Sequence, residues 1–477
     1  MNCSKAIESI KILKNVQLTA QSLRVDCYVV GGFVRDYLLE KQSKDIDIVC
    51  LGDGIALAKA VAASLDRPTK VHIFKTFGTA MLKYKDVEIE FVGARKESYQ
   101  KDSRKPQVVP GTLVDDQLRR DFTINALAIS LNSKDFGKLL DSFNGLKDLD
   151  DKIIRTPNDP EVTFSDDPLR MLRAIRFASQ LHFDIEPDTF AAITNNLDRL
   201  KIVSQERIVV ELNKIVASPQ PSYGFKLLFH SGILKLIFPE MVALQGVETI
   251  KGRSHKDNFY HTLQVLDNVA KVSDDLWLRW SAILHDIAKP PTKRFNDKVG
   301  WTFHGHEDKG ARMVPGIFRK MRLPLNDKMK FVQKLVRLHL RPIALVKEQV
   351  TDSALRRLLF EAGDDLEALM ILCRADITSK NHDKVKKYLR NFDRVERKLF
   401  QVEEKDKVRN FQPVITGEHI MEVFALKPSK LVGEMKEALK EAVLEGKIRN
   451  DFQEAYEYLL TIAKDKGLKP IKTLDIP

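Results

Sequence analysis

A chain of 477 residues is too long for one hydrophobic core, and at about 100 to 200 residues per domain it implies three or four folded units. Hydrophobic residues make up 43% and charged residues 30%, which excludes a long disordered tail. The net charge of +12 attracts polyanions such as nucleic acid, whereas the lack of an 18-residue apolar run, a leader peptide or paired cysteines points to a cytoplasmic, membrane-free setting.

Residues 1–140 mix helical and strand signals, with apolar β-rich runs at 27–30, 46–51, 79–84 and 87–92. An α/β domain with a small sheet is expected there. The first run ends in Gly31-Gly32-Phe33-Val34-Arg35-Asp36, and residues 37–40 read as a helix. Two glycines at a strand-to-helix turn let backbone N–H groups approach a phosphate, but there is no GxGxxG fingerprint and no Walker P-loop. Asp45 and Asp47 then stand two apart in a β-branched run, so both carboxylates point to one face of a strand. Hard oxygen ligands on one face suit Mg²⁺, and a metal pair can activate a hydroxyl while neutralising a leaving pyrophosphate. Glu88 and Glu90 share a face of the run 87–92, and Glu88 is the candidate third carboxylate.

This spacing, followed by Arg119-Arg120-Asp121-Phe122-Thr123-Ile124-Asn125-Ala126, resembles the class II tRNA nucleotidyltransferase and poly(A) polymerase family. The resemblance implies an α+β fold. A polymerase-β-like nucleotidyltransferase head would occupy residues 1–140, an all-α neck with a base-template motif 141–250, an HD-type helical metal domain 251–395, and a helical tail 396–477. It also implies that Gly31, Gly32 and Arg35 border the nucleotide, that Arg119 and Arg120 hold its triphosphate, and that Asp121 and Asn125 orient its ribose. Guanidinium groups bind phosphate oxygens in bidentate fashion, and a carboxylate accepts from sugar hydroxyls. Asp141, Gly145, Asp148-Leu149 and Ile154-Arg155 are similar to the family's hinge between head and neck.

Strand signals fade after residue 141, and amphipathic patterns at 169–181 and 207–216 take over. In Asp166-Asp167-Pro168-Leu169-Arg170-Met171-Leu172-Arg173-Ala174-Ile175-Arg176, the proline suits a first helical turn and places Asp167 and Arg170 at i and i+3. By resemblance these two form an amino-acid template for the incoming base, with Arg173 and Arg176 beside the nucleotide. An arginine donates to the ring nitrogen of C or A, and an aspartate accepts from their exocyclic amino group. Uracil and guanine present a carbonyl there instead. Asp166 stands where the family usually has Glu. Glu206, Arg207 and Glu211 resemble the last neck motif, which supports the template helix.

His255, His261, His285, His304, His306 and His339 fall within 85 residues. His285-Asp286 closes the apolar run 276–284 and Asp376 follows the apolar run 366–375, settings in which a carboxylate needs a partner. The order His261, His285-Asp286, His306, His339, Asp376 resembles the HD phosphohydrolase superfamily. That likeness implies a divalent metal centre, its metal left open, and a bound water able to attack 2′,3′-cyclic phosphates or phosphomonoesters at RNA ends. His255 and His304 would stand behind the ligands or face substrate. The charged segment 381–410 reads as a solvated helical face, and 415–460 resembles the family's helical tail.

The resemblance therefore implies a CCA-adding enzyme that transfers CMP and AMP from CTP and ATP to the 3′ end of tRNA, with Mg²⁺ as cofactor. A poly(A) polymerase or an HD-class RNA-end phosphohydrolase are the alternatives. The sequence carries no signature of oligomeric state.

Overall fold

The computed structural model describes residues 2–67, 69–75, 78–98, 107–347, 351–378, 381–406, 409 and 411–474. The expected break at 410–413 begins at residue 410, which lies outside them. The chain divides into two compact units, one ending at Ile237 and the other beginning at Phe238.

The first unit is built on a seven-stranded sheet among the described residues. Its spatial order is Val71–Phe74, Thr79–Tyr84, Val87–Gly93, Asp45–Cys50, Cys27–Val30, Ala128–Ser130, Leu139–Leu140. Helices Lys11–Leu23 and Gly54–Ala63 bury Leu13, Val16, Leu57 and Val61 against Val29, Ile46, Ile48, Ile89 and Phe91. Alternation along Asp45–Cys50 therefore sends the isoleucines into this core and the two aspartates to the opposite face, which they share with Val49 and, across the ladder, Val30. The four expected strands are present. The helix after strand Cys27–Val30, however, is Gly32–Leu38 rather than 37–40, because Phe33 and Val34 turn into the core directly after the two glycines.

Beyond the sheet, helices Leu169–Leu181, Gln205–Val216 and Pro221–His230 pack closely. A methyl group on Gly224 would stand 2.5 Å from Ile215 Cγ2 and 2.9 Å from Ser179 Oγ, an overlap that costs about 1 to 3 kcal/mol. The stretch expected as an all-α neck is not purely helical, since Ile153–Ile154 pairs in parallel with Asp184–Ile185. Two-residue strands carry too little periodicity to be read from sequence.

The second unit gathers helices Asn258–Ala270, Leu276–Leu284, His306–Lys320, Asp327–Leu338 and Leu366–Ala375. Asp257 and Asp275 cap the first two by accepting from the N–H groups of Phe259 and Tyr260, and of Trp277 and Leu278. Two short hairpins interrupt the helices, Thr249–Ile250 with Arg253–Ser254 and Arg294–Asn296 with Gly300–Thr302. The charged segment forms helix His382–Asp406. Helices Gly417–Phe424, Lys430–Glu445 and Phe452–Asp465 close over their own core of Ile420, Val423, Met435, Leu439 and Leu459. Among the described residues no helix is long and apolar enough to cross a membrane.

Candidate active site and metal centre

The parallel pairing of Asp45–Cys50 with Val87–Gly93 sets Asp45 beside Glu88 and Asp47 beside Glu90. Four carboxylates thus share one sheet face, and such crowding favours a cation between them. Burial, with help from Glu90 and Asp45, pushes the Asp47 carboxyl above its ordinary range, against the pull of Arg120. Glu88 is exposed and lies 3.8 Å from Lys83. Sequence reasoning chose Glu88 alone, whereas the register gives Glu90 an equal place beside the aspartates.

Gly31 adopts φ +77°, and a methyl group there would lie 3.0 Å from both Asp47 Oδ2 and Arg120 Nη1. A side chain at this position would wedge between the carboxylate and the guanidinium. Its own N–H already donates to the carbonyl of Leu127 at 3.3 Å, so the glycine supplies room rather than a free donor.

Arg119 and Arg120 are held from below. Asp116, with no exposed surface, accepts from Arg119 Nε at 2.9 Å through one oxygen and from Arg120 Nη2 at 3.0 Å through the other. Glu97 adds a contact of 3.3 Å to Arg119 Nη1. Neither acid was singled out by sequence; the signal available was the position of Asp116, three and four residues before the arginines on one helical face.

Both arginines line a cavity of about 540 Å³ together with Asp121, Asp167, Arg170, Arg173, Glu206, Arg207 and Glu211. Arg170 Nη2 donates to the carbonyl of Arg119 at 2.5 Å, which ties helix Leu169–Leu181 to the arginine pair. Asp167 is extended, at φ −132°, and not yet helical, but it faces the same space. Other expected site residues turn inward. Arg35 donates to Asp36 and Asn125, Asn125 passes the link to Asp121 at 3.0 Å, and Arg176 is buried against Glu211 at 2.9 Å. Burial pushes the Arg176 guanidinium down to about 10.

Burial alone would raise the Asp121 carboxyl, but Arg173 at 2.7 Å, Asn125 and Arg170 outweigh it and hold it at about 2. A depressed folded value means stability that is present above the unfolded pKa and lost as pH falls through the folded one. The window is therefore about pH 4 down to pH 2. Asp121→Asn should cost about 2 to 3 kcal/mol at pH 7 and flatten the acid limb of an unfolding profile, measurable by urea denaturation between pH 2 and 7.

In the second unit His285, His306 and His339 each donate Nδ1–H to a backbone carbonyl, of Ala282, Phe303 and Val336, at 2.7 Å. This fixes the tautomer and leaves three buried Nε2 atoms without a hydrogen-bond partner among the described residues. All three face Asp286. Its Oδ1 lies 3.3 Å from His306 Nε2 and 3.9 Å from His339 Nε2, and its Oδ2 lies 3.2 Å from His285 Nε2 and 3.5 Å from His261 Nε2. Asp376 closes the set, 2.9 Å from His261 Nε2. Burial and the neighbouring His285 push His339 down to about 4, so it is the neutral imidazole that a metal takes. Orphaned buried acceptors around a carboxylate are the environment a divalent metal completes, and two overlapping ligand groups meet at Asp286.

Lys289, within 2.6 Å of Asp286 Oδ2, and Lys256, 3.0 Å from His261 Nδ1, also belong to this centre and were not singled out by sequence. His304 is exposed, and His255 uses both ring nitrogens on the backbone.

A sheet that presents its acids beside an arginine-walled cavity is the working arrangement of a nucleotidyltransferase. Residues 27–155 match the poly(A) polymerase head domain, 182–244 the probable RNA- and SrmB-binding site of polymerase A, and 258–381 the HD domain. The chain is 30% identical over 431 residues to the A-adding tRNA nucleotidyltransferase of Deinococcus radiodurans, covering 88% of this chain and 92% of that one. It is 31% identical over 380 residues to the multifunctional CCA protein of Shewanella frigidimarina, covering 74% and 84%. Against the A-adding tRNA nucleotidyltransferase of Aquifex aeolicus it is 45% identical over 187 residues, 39% of this chain, and spans 22% of that relative's length. A solved tRNA nucleotidyltransferase complexed with a primer tRNA and an incoming ATP analog superposes with a TM-score of 0.55 at 26% identity, over 80% of this chain and 99% of that one. The chain belongs to the tRNA nucleotidyltransferase family and is a nucleotidyltransferase with an HD domain. Both kinds of domain generally use divalent metals.

Proposed function

We propose that the chain extends the 3′ end of tRNA with CMP and AMP from CTP and ATP, completing CCA. The observation that carries this reading is the position of Arg120, whose Nη1 flanks Gly31 opposite Asp47 Oδ2 and which also walls the cavity holding Asp167 and Arg170. One guanidinium thus joins the acid face to the base template. Asp45, Asp47 and Glu88, with Glu90 adjacent, would hold Mg²⁺, which would supply activation of the terminal hydroxyl and neutralisation of pyrophosphate. Arg119 and Arg120 grip the triphosphate, and Asp121, through Arg173 and Asn125, keeps the ribose side of the cavity in shape. Arg170 donates to the ring nitrogen and Asp167 accepts from the amino group, so C and A are taken and U and G refused. The setting is cytoplasmic.

A second reading, addition of A alone, is favoured by the A-adding relatives from Deinococcus and Aquifex. Incubation with Mg²⁺, each labelled nucleotide, and tRNA lacking CCA or ending in CC separates them. Incorporation of C, C and A that then stops supports the first reading. Labelling restricted to A on the CC-ended tRNA selects the second, and open-ended A addition would count against both.

Because Asp116 aligns both triphosphate arginines, Asp116→Asn should raise the KM for nucleotide about 10- to 100-fold, as expected for loosening charge-assisted bonds, with the KM for tRNA unchanged. Parallel rises in both KM values would mark a general folding defect instead.

In the second unit we read the HD centre as a divalent-metal site whose two ligand groups share Asp286. His261, His285 and Asp376 would lie on one side, and His306 and His339 on the other. The chemistry such metals supply is a nucleophilic water for phosphoester hydrolysis at RNA ends.

A further inference from the structure

Beside the HD centre stands a row of rings that nothing above employs. Trp301, on the hairpin of Arg294–Asn296 and Gly300–Thr302, meets Phe295 at 5.3 Å and His255 at 5.3 Å between centroids, and His255 meets Phe303 at 5.9 Å. Each contact is edge to face, between 73° and 88°. His255 is locked in place, its Nδ1–H donating to the Lys256 carbonyl at 2.8 Å and its Nε2 accepting from the Glu248 N–H at 3.2 Å. Both of its nitrogens are therefore spent, and the ring acts as a spacer between Trp301 and Phe303. The Trp301 indole N–H donates to the Arg253 carbonyl at 3.1 Å, which fixes its plane as well. All four rings are only partly buried.

The wall is joined to the centre at two points. The Phe303 carbonyl accepts from His306 Nδ1 at 2.7 Å. The Lys289 ammonium lies 5.6 Å above the Phe303 ring centroid and 2.6 Å from Asp286 Oδ2, so a single ammonium group separates the ring from the bridging carboxylate. A second ammonium, of Lys293, lies 4.8 Å from the Trp301 centroid. Rigid, partly open rings beside ammonium groups, Lys289 paired with Asp286 and Lys293 with Glu248, offer a nucleotide a face for the base and positive charge near its phosphate. A bare phosphomonoester would use the cations and ignore the rings.

We propose that Trp301 and Phe303, spaced by His255, stack the base of a terminal nucleotide whose phosphate lies at the HD centre, so that the centre accepts nucleoside phosphates over phosphomonoesters lacking a base. This rests on the reading of that centre as a phosphoester site, and the test keeps the two apart. Trp301 is one of three tryptophans, and Trp280 is fully buried. Adenosine 2′-monophosphate should quench the intrinsic fluorescence of the intact protein saturably, inorganic phosphate should not, and the quench should vanish in Trp301→Phe. On the metal-loaded enzyme, Trp301→Ala should lower kcat/KM for adenosine 2′,3′-cyclic phosphate about 10- to 100-fold, the range for losing one base–aromatic stack. Hydrolysis of para-nitrophenyl phosphate should stay within about twofold, and Trp301→Phe should restore the cyclic substrate. No quench, a quench that survives in Trp301→Phe, or equal losses on both substrates would overturn the proposal. A Trp301-dependent quench in a protein that hydrolyses neither substrate would support the wall and reject hydrolysis at the centre.

Discussion

Asp47→Ala should slow nucleotide transfer by at least about 10³-fold, several kcal/mol of transition-state stabilisation, while tRNA affinity stays within about twofold. Asp47 is the acid of the four-carboxylate face that also feels the charge of Arg120 across Gly31, so its loss removes a candidate metal ligand and a negative charge beside that guanidinium together. Asp47→Asn keeps the volume and one acceptor oxygen but not the charge, and it should be nearly as slow. Glu90 is exposed where Asp47 is half-buried, so water can more readily take its place on a metal, and Glu90→Gln should be milder, about tenfold. Single-turnover extension of tRNA with labelled nucleotide at saturating Mg²⁺, paired with filter binding, measures both quantities. Transfer by Asp47→Ala at a tenth of the normal rate or better would remove the aspartate from the chemistry.

How far the sequence reached depends on whether a feature is local. Strands 27–30 and 79–84 and helix 169–181 have the bounds their apolar periodicity predicts, because burial on one face dictates that period. The shared face of Asp45 and Asp47 follows from the same alternation. What could not be read were partners brought together by the fold. The pairing of Asp47 with Glu90 depends on strand register, the grip of Asp116 on two arginines on side-chain direction, and the approach of Lys256 to His261 on a turn outside the helix. Arg35 and Arg176 carry the charge of phosphate ligands, yet each spends it on a buried protein partner. Composition cannot separate an arginine that faces a ligand from one that faces an acid behind it.

Asp286→Ala should empty the HD centre of metal altogether, whereas His339→Ala should leave about half, and neither should change nucleotide transfer by more than about twofold. The difference comes from the carboxylate geometry. One oxygen of Asp286 faces His306 and His339, the other faces His261 and His285, so a single side chain serves both ligand groups. His339 serves one. Burial would raise the Asp286 carboxyl, but His285 and Lys289 hold it well below the usual carboxylate range, so it is ionised and ready for a cation at any physiological pH. Removing it leaves the Lys289 ammonium opposite a cluster of imidazoles, which opposes a cation further. Metal content per chain after dialysis, measured by atomic emission, gives the counts, and extension of tRNA on the same samples gives the control. Equal losses in the two variants would mean one metal rather than a bridged pair. Full loading of Asp286→Ala would mean that the histidines bind without the bridge.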